Sequence, residues 1–278
     1  MKIRAYIFAV LAAVMLCLPA QAQDEISLVE TSESDVQLRV GAGLEVPIGR
    51  KWEFAWNEQM RLHNNLANFD KIVSSVGFGY KPWKFLKLEA QYGFVNERTS
   101  KTDNDTGFKT IDWQIRHRLN LDVTGSVRLG NVKLSLRERV RVQFRGDSVN
   151  KYEHPNPEIT LRSRLKGALD LRNGRWEPYA FAEVYTTLNA VGPVYNYLTD
   201  PIRYANYINR VRLGLGTEMK LSNSSKLDFY YMIHFNRSYK ARYEGVGGRN
   251  PMNDGELKSW ELEKKCAHVI GIDYKFKL

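Results

Sequence analysis

From about residue 36 the chain alternates apolar and polar side chains in runs of about ten, and the breaks between runs are alternately short and long. A period of two gives a strand one apolar and one polar face. Breaks that alternate in length place tight turns at one rim and longer loops at the other, as a membrane β-barrel requires. The expected fold class is therefore all-β, a transmembrane antiparallel up-and-down β-barrel of about twelve strands. The chain is polar overall, with mean hydropathy −0.44, and a barrel accommodates this because only every second residue meets lipid.

The pattern is cleanest at Val36, Leu38, Val40, Ala42, Leu44 and Val46, and at Trp52, Phe54, Trp56, Met60 and Leu62. In the middle of the chain, Ile111, Trp113, Ile115, Leu119, Leu121 and Val123 form one apolar face. Val132, Leu134, Leu136, Val140, Val142 and Phe144 form its partner. The opposite faces carry Arg116, Arg118, Asp122, Lys133, Arg137, Arg139 and Arg141, a charge density that suits a polar lumen better than a soluble sandwich.

Asn173-Gly174 is a hairpin signal that sets Arg164 opposite Glu183 and turns Tyr179, Phe181 and Tyr185 inward. Folding at Ser222 to Lys226 sets Lys220 opposite Asp228. Short breaks follow Val46, Tyr80, Thr124, Leu171 and Leu221, and longer ones follow His63, Arg98, Arg145, Leu188 and Asn236. If the short turns are periplasmic, the last strand descends and the C-terminus is periplasmic. An even strand count then needs a further N-terminal strand, for which Glu25 to Glu30 is the candidate. Trp52, Trp83 and Trp176 all stand beside short turns, as an interfacial girdle does.

Residues 1–22 read as a secretory signal: Lys2 and Arg4, an apolar run from Ala5 to Leu18, and Ala20-Gln21-Ala22 before the cleavage point. Residues 23–278 are then one outer-membrane barrel of a Gram-negative cell. Cys266 is the only cysteine beyond that segment, so no internal disulfide is expected. The net charge of +10 raises nucleic acid as a partner, which export argues against. The expected partners are outer-membrane lipids and lipopolysaccharide, the barrel-assembly machinery, for which the alternating terminal strand is a suitable signal, and anionic solutes.

Two groups of residues are candidates for chemistry. Arg116, Arg118, Arg137, Arg139, Arg141, Arg162, Arg164, Arg210 and Arg212 are positioned to line one wall of the lumen, with Glu89, Glu97, Asp112, Glu183, Glu218 and Asp228 facing them. They form either a salt-bridged plug or a passage for anions such as acidic oligosaccharides. His117 and Glu138 break the apolar face in mid-strand. Folding about Thr124 to Asn131 puts them opposite each other, with Ser163 outward on the next strand. A histidine beside a carboxylate is two parts of a hydrolase triad, which raises a lipid-modifying hydrolase as an alternative. The His-x-Ser arrangement of the outer-membrane phospholipase family is absent, since Arg118 and Leu119 follow His117. His63, His154, His234 and His268 lack metal-ligand spacing, Gly245-Val246-Gly247-Gly248 lacks the Lys-Ser/Thr of a phosphate cradle, and no cofactor or metal is expected. No enzyme motif appears.

The stretch Trp52 to Arg61 (WEFAWNEQMR), the arginine-rich strand around Ile115-Arg116-His117-Arg118, and Pro178-Tyr179 with Glu183 carry a diffuse resemblance over the whole mature chain. They resemble an uncharacterised Bacteroides-type outer-membrane β-barrel family, number 2490 in the domain-of-unknown-function series. The resemblance implies a barrel and its location, and it supplies no catalytic residue.

Overall fold

The computed structural model describes residues 28–102, 109–146, 156–171, 174–191, 204–244 and 256–278. These form eleven strands: β1 (Leu28–Ile48), β2 (Trp52–His63), β3 (Asn68–Trp83), β4 (Leu86–Thr102), β5 (Lys109–Leu129), β6 (Val132–Arg145), β7 (Glu158–Leu169), β8 (Trp176–Val191), β9 (Tyr204–Lys220), β10 (Ser225–Glu244) and β11 (Glu256–Lys277). Each pairs antiparallel with the next, and β1 closes the barrel against β11. Eleven is odd, so the first and last strands of an up-and-down order run the same way, and the closing ladder is parallel, from Leu28↔Trp260 to Glu45↔Lys277.

The count agrees with the expected figure of about twelve, and only the separate first strand is missing from it. No turn separates an N-terminal strand from β1: Leu28 to Asp35 contains no Gly, Pro or Asn, and the segment runs straight into the alternating stretch. Glu25 to Ser27, residues 1–22 with their expected secretory signal, His154, Asn173 and the Gly245–Gly248 run lie outside the described residues.

The tight turns share one rim. They are Gly49 to Lys51, Lys84-Phe85, Gly130-Asn131 and Leu221 to Ser224, and the facing ends of β7 and β8 lie at the same rim. Gly49 and Gly130 take φ of 68° and 60°, the left-handed region that a Cβ disfavours. At the other rim the expected long break after His63 is a four-residue turn, Asn64 to Ala67. Asn65 pins it to β1: its N–H donates to Asp35 Oδ1 at 3.0 Å, and its Oδ1 accepts from the Val36 N–H at 3.2 Å.

Two expected registers move. The β5–β6 hairpin turns at Gly130-Asn131, because Val127 and Leu129 extend the outward face of β5, so His117 lies opposite Phe144 and Glu138 opposite Val123. The β9–β10 hairpin pairs Asp228 with Glu218 and Lys220 with Lys226. The Arg164–Glu183 pairing stands as expected.

Sidedness follows the alternation. Leu215, Leu213, Leu121, Phe78 and Ile111 are more than half exposed on the outer face, an arrangement no soluble core would leave. Trp52, Trp83 and Trp176 stand at the short-turn rim, with Trp52 against Tyr80 at 4.6 Å between ring centroids and Trp83 stacked on Phe85 at 5.8 Å. Phe69 and Trp113, 5.5 Å apart, sit toward the opposite rim. The outer face thus carries an apolar band with aromatic residues at both edges.

Inside, the β7–β11 wall carries a packed cluster of Ala168, Tyr179, Phe181, Met232 and Val269, with Tyr230 against it. Tyr230, Phe181 and Tyr179 fit inside because a glycine lies across from each. A Cβ on Gly271 would stand 1.9 Å from the Tyr230 ring, one on Gly214 2.3 Å from Phe181, and one on Gly216 2.6 Å from the Tyr179 hydroxyl. Gly271→Ala is expected to lower stability by about 1–3 kcal/mol through overpacking. Gly167→Ala, where the nearest atom is 3.4 Å away, should change little. Urea unfolding read by heat-modifiable gel mobility distinguishes the two.

Candidate functional site

The barrel encloses a cavity of about 510 Å³. Its lining includes Arg116, Arg118, Arg139, Arg141, Arg162, Arg164, Arg210 and Arg212, together with Glu183, Tyr179, Phe181 and Tyr185. Arg137 shares the inward face, opposite Arg164, without lining this cavity. Arg39, Arg61 and Arg145 also line it and were not singled out from sequence. The usable signal was parity: Arg39 and Arg61 stand on the polar face of their strands and are register partners. In total, thirteen Arg and Lys side chains line the cavity against five carboxylates.

Charge pairing is not uniform along the barrel. Toward the short-turn rim the interior is cross-linked. Lys166 and Lys226 reach Glu218 at 3.1 and 3.5 Å, Lys275 reaches Asp228 at 2.7 Å, and Lys87 bridges Glu53 and Glu89, each at 2.6 Å. Tyr179 donates its hydroxyl to Asp228 at 2.7 Å, and Lys166 lies over the Tyr179 ring. Midway up, Arg139 makes a two-point contact with Asp122, at 2.6 and 2.5 Å. Beside it Glu183, 1 % exposed, is a hub: it binds Arg162, meets Arg164 at 3.3 Å and Arg212 at 3.4 Å, and accepts the Tyr185 hydroxyl at 3.3 Å.

Nearer the long-loop rim the partners become neutral. Arg61 Nε donates to Gln59 at 2.9 Å, Arg118 to Gln143 at 2.6 Å, Arg141 to Asn120 at 3.1 Å, and Arg210 to Asn236. Arg39 reaches Gln37 at 3.4 Å. These five guanidinium groups stand roughly ten residues along their strands from the short turns. Among the described residues none of the five has a carboxylate within ion-pair distance, and the buried Nε of Arg39, Arg162 and Arg212 makes no hydrogen bond. An amide orients a guanidinium without neutralising it, so the remaining N–H groups and the positive field are available to an anion. Glu97, near the same rim, pairs with Lys71 at 2.6 Å and Arg116 at 3.0 Å, and Glu158 pairs with Arg145 at 2.7 Å.

The lipid-facing candidates do not come together. His117 is held by Tyr92, whose hydroxyl is 2.6 Å from its Nδ1, and by the rings of Tyr92 and Phe94. Glu138 accepts a hydrogen bond of 2.5 Å from Ser163. Six residues of register separate them, about 20 Å along the strand, so the expected His–carboxylate pair is not formed. His268 repeats the His117 arrangement with Tyr231, and Glu58 repeats that of Glu138 with Ser74, at 2.6 and 2.8 Å. The duplication marks both as ways of satisfying a polar group on an apolar face. His234 points inward beside Arg212 and is 2 % exposed. No cluster of metal-ligating side chains occurs among the described residues.

No curated protein matches the sequence. Among solved structures, the outer-membrane expressed OmpT of Vibrio cholerae is similar at 13% identity and a TM-score of 0.36, over 75% of this chain and 59% of that one. The chain thus spans less than two thirds of that protein, and a likeness this slight carries no argument about activity. A family profile described as "Protein of unknown function (DUF2490)" matches residues 40–244, about three quarters of the sequence and most of the barrel wall. The chain belongs to the DUF2490 family.

Proposed function

We propose that this protein is an outer-membrane barrel that takes small anions into an arginine-lined vestibule at its long-loop end. The observation that most supports this is the excess of thirteen cations over five carboxylates around one cavity, with five arginines held by neutral partners alone. The volume lies in the range of small-molecule sites. With long loops outward and short turns periplasmic, as in barrels of this class, the vestibule opens to the cell exterior. The ion pairs around Glu218, Asp228 and Glu53 form a floor beneath it. The sequence supports the location through residues 1–22, which carry a secretory pattern.

Binding of inorganic phosphate to the protein in phosphatidylcholine nanodiscs tests this reading. Calorimetric titration is expected to give a saturable site that weakens as salt rises, because the attraction is electrostatic. Arg118→Gln with Arg141→Gln should weaken it about tenfold or more, since each hydrogen bond to a charged group contributes about 1.5–3 kcal/mol. Absence of saturable phosphate or sulfate binding at low salt overturns the proposal. Planar-bilayer recordings are expected to show at most a small conductance while the floor is intact.

A further inference from the structure

The barrel wall forks near the long-loop rim. The β9–β10 ladder ends at Arg210↔Asn236, and beyond it the strands part. Ile208 and Tyr207 of β9 continue against Thr186 and Thr187 of β8, while Arg237 to Glu244 of β10 continue against β11. A second cavity, about 520 Å³, occupies the fork. Asn209 and Arg210 line both it and the arginine vestibule, so the two spaces meet at these side chains.

The fork spans both faces of the wall. Val211, Phe235 and Cys266 belong to the outward, lipid-side parity, and Phe235 is 49% exposed. Arg210, Asn236 and Lys265 belong to the inward parity. Arg237 and Lys264 also line it, and Lys265 is paired with Glu33 at 3.3 Å, which leaves Arg210, held by the neutral Asn236, as the cation at the junction. Asn209 Oδ1 is buried without a hydrogen-bond partner among the described residues. Ten residues separate Arg210 from the end of β9 at Lys220, which at the usual rise and strand tilt is about 25 Å, the height of the apolar band of such barrels. The base of the fork therefore stands at the level of lipid headgroups. That level suits the fork, because unladdered strand edges inside hydrocarbon cost several kcal/mol per group.

We infer that the fork is a lateral portal for an amphiphile with a phosphate or carboxylate head. The head sets against Arg210 at the junction with the vestibule, and the chain lies over Val211 and Phe235 toward the bilayer. This rests on the anion reading of the vestibule and adds to it a class of ligand and a route.

Cys266 lines the fork and is partly buried, which makes it a reporter. The protein lacking residues 1–22, in phosphatidylcholine nanodiscs, is labelled with a maleimide in the presence of dodecyl phosphate, dodecanol or inorganic phosphate. Dodecyl phosphate at about ten times its dissociation constant is expected to slow labelling about tenfold, with dodecanol and inorganic phosphate leaving the rate unchanged. Arg210→Gln should remove the protection. Val211→Trp, which fills the fork from the lipid side, should remove it while leaving phosphate binding in the vestibule intact, and this variant decides the matter if Arg210→Gln does not fold. Equal protection by dodecanol overturns the anionic head, and equal protection by inorganic phosphate overturns the chain. No protection by dodecyl phosphate, with vestibule binding of inorganic phosphate retained, overturns the portal and leaves the anion reading standing. Loss of all phosphate binding overturns both.

Discussion

Replacing Glu183 with glutamine is expected to destabilise the barrel by about 3–5 kcal/mol, the usual cost of removing one partner from a buried ion cluster. The substitution keeps the size of the side chain and one acceptor oxygen and removes only the charge. Three guanidinium groups depend on that charge: Arg162, Arg164 at 3.3 Å and Arg212 at 3.4 Å. None has a second carboxylate among the described ion pairs, and their exposures of 14, 22 and 6% leave limited access to water. The neighbouring Asp122 already holds Arg139 in a two-point contact. Asp170→Asn is the comparison. It breaks the Arg128–Asp170 pair, whose side chains are 61 and 42% exposed, and should cost less than about 1 kcal/mol. Urea titration of the reconstituted protein, read by heat-modifiable mobility, measures both. If the vestibule takes anions, phosphate in the buffer should restore part of the Glu183→Gln loss and none of the Asp170→Asn loss. Equal, small losses for the two variants would remove Glu183 as the hub.

The faces of this barrel were legible because alternation reports them directly. Arg116, Arg118, Arg139, Arg141, Arg162, Arg164, Arg210 and Arg212 reach the cavity on the parity read from sequence, and Ala180, Ala182 and Val184 turn outward opposite Tyr179, Phe181 and Tyr185. Pairings were less legible, for a definite reason. The β5–β6 register differs from expectation by six residues in the sum of partners and the β9–β10 register by two, both even numbers. An even shift leaves every side chain on its own face, so the pattern cannot detect it. Only turn chemistry can: the sequence reading folds β5–β6 about Thr124 to Asn131, and the turn is made by Gly130-Asn131 alone.

The same limit explains the His117–Glu138 pairing, which depended wholly on that turn. The strand number, about twelve, was legible to within one: evenness is a habit of the class, whereas a parallel β1–β11 ladder closes an odd barrel equally well. The fork was legible only in part. The alternation does falter where the ladder stops, with a break after Asn236 and two polar residues together at Asn209-Arg210, but nothing in either strand says that each then continues against its other neighbour.

Leu215→Arg is expected to cost about 2–4 kcal/mol, the penalty for a cation on the lipid face near mid-bilayer. Leu215 is 62% exposed on the outer face of β9, between Ala180 and Tyr231, six residues from the short turn at Leu221. In a soluble β-sandwich a side chain this exposed could become arginine almost without cost, since surface substitutions usually stay within about 0.5 kcal/mol. The two settings therefore give opposite results from one change. Leu215→Ala controls for lost bulk, and it removes little in lipid because the side chain packs mostly against acyl chains rather than protein. The readout is the urea midpoint of the barrel folded in phosphatidylcholine vesicles, with the fraction that reaches the compact gel form as a second measure. A depth series sharpens it: Trp176→Arg, beside the short-turn rim, should cost much less than Leu215→Arg, because the penalty falls toward about 0–1 kcal/mol at the interface. A flat response along that series, with Leu215→Arg as stable as Leu215→Ala, would mean that the apolar band does not face hydrocarbon, and the anion vestibule would then have no membrane to open across.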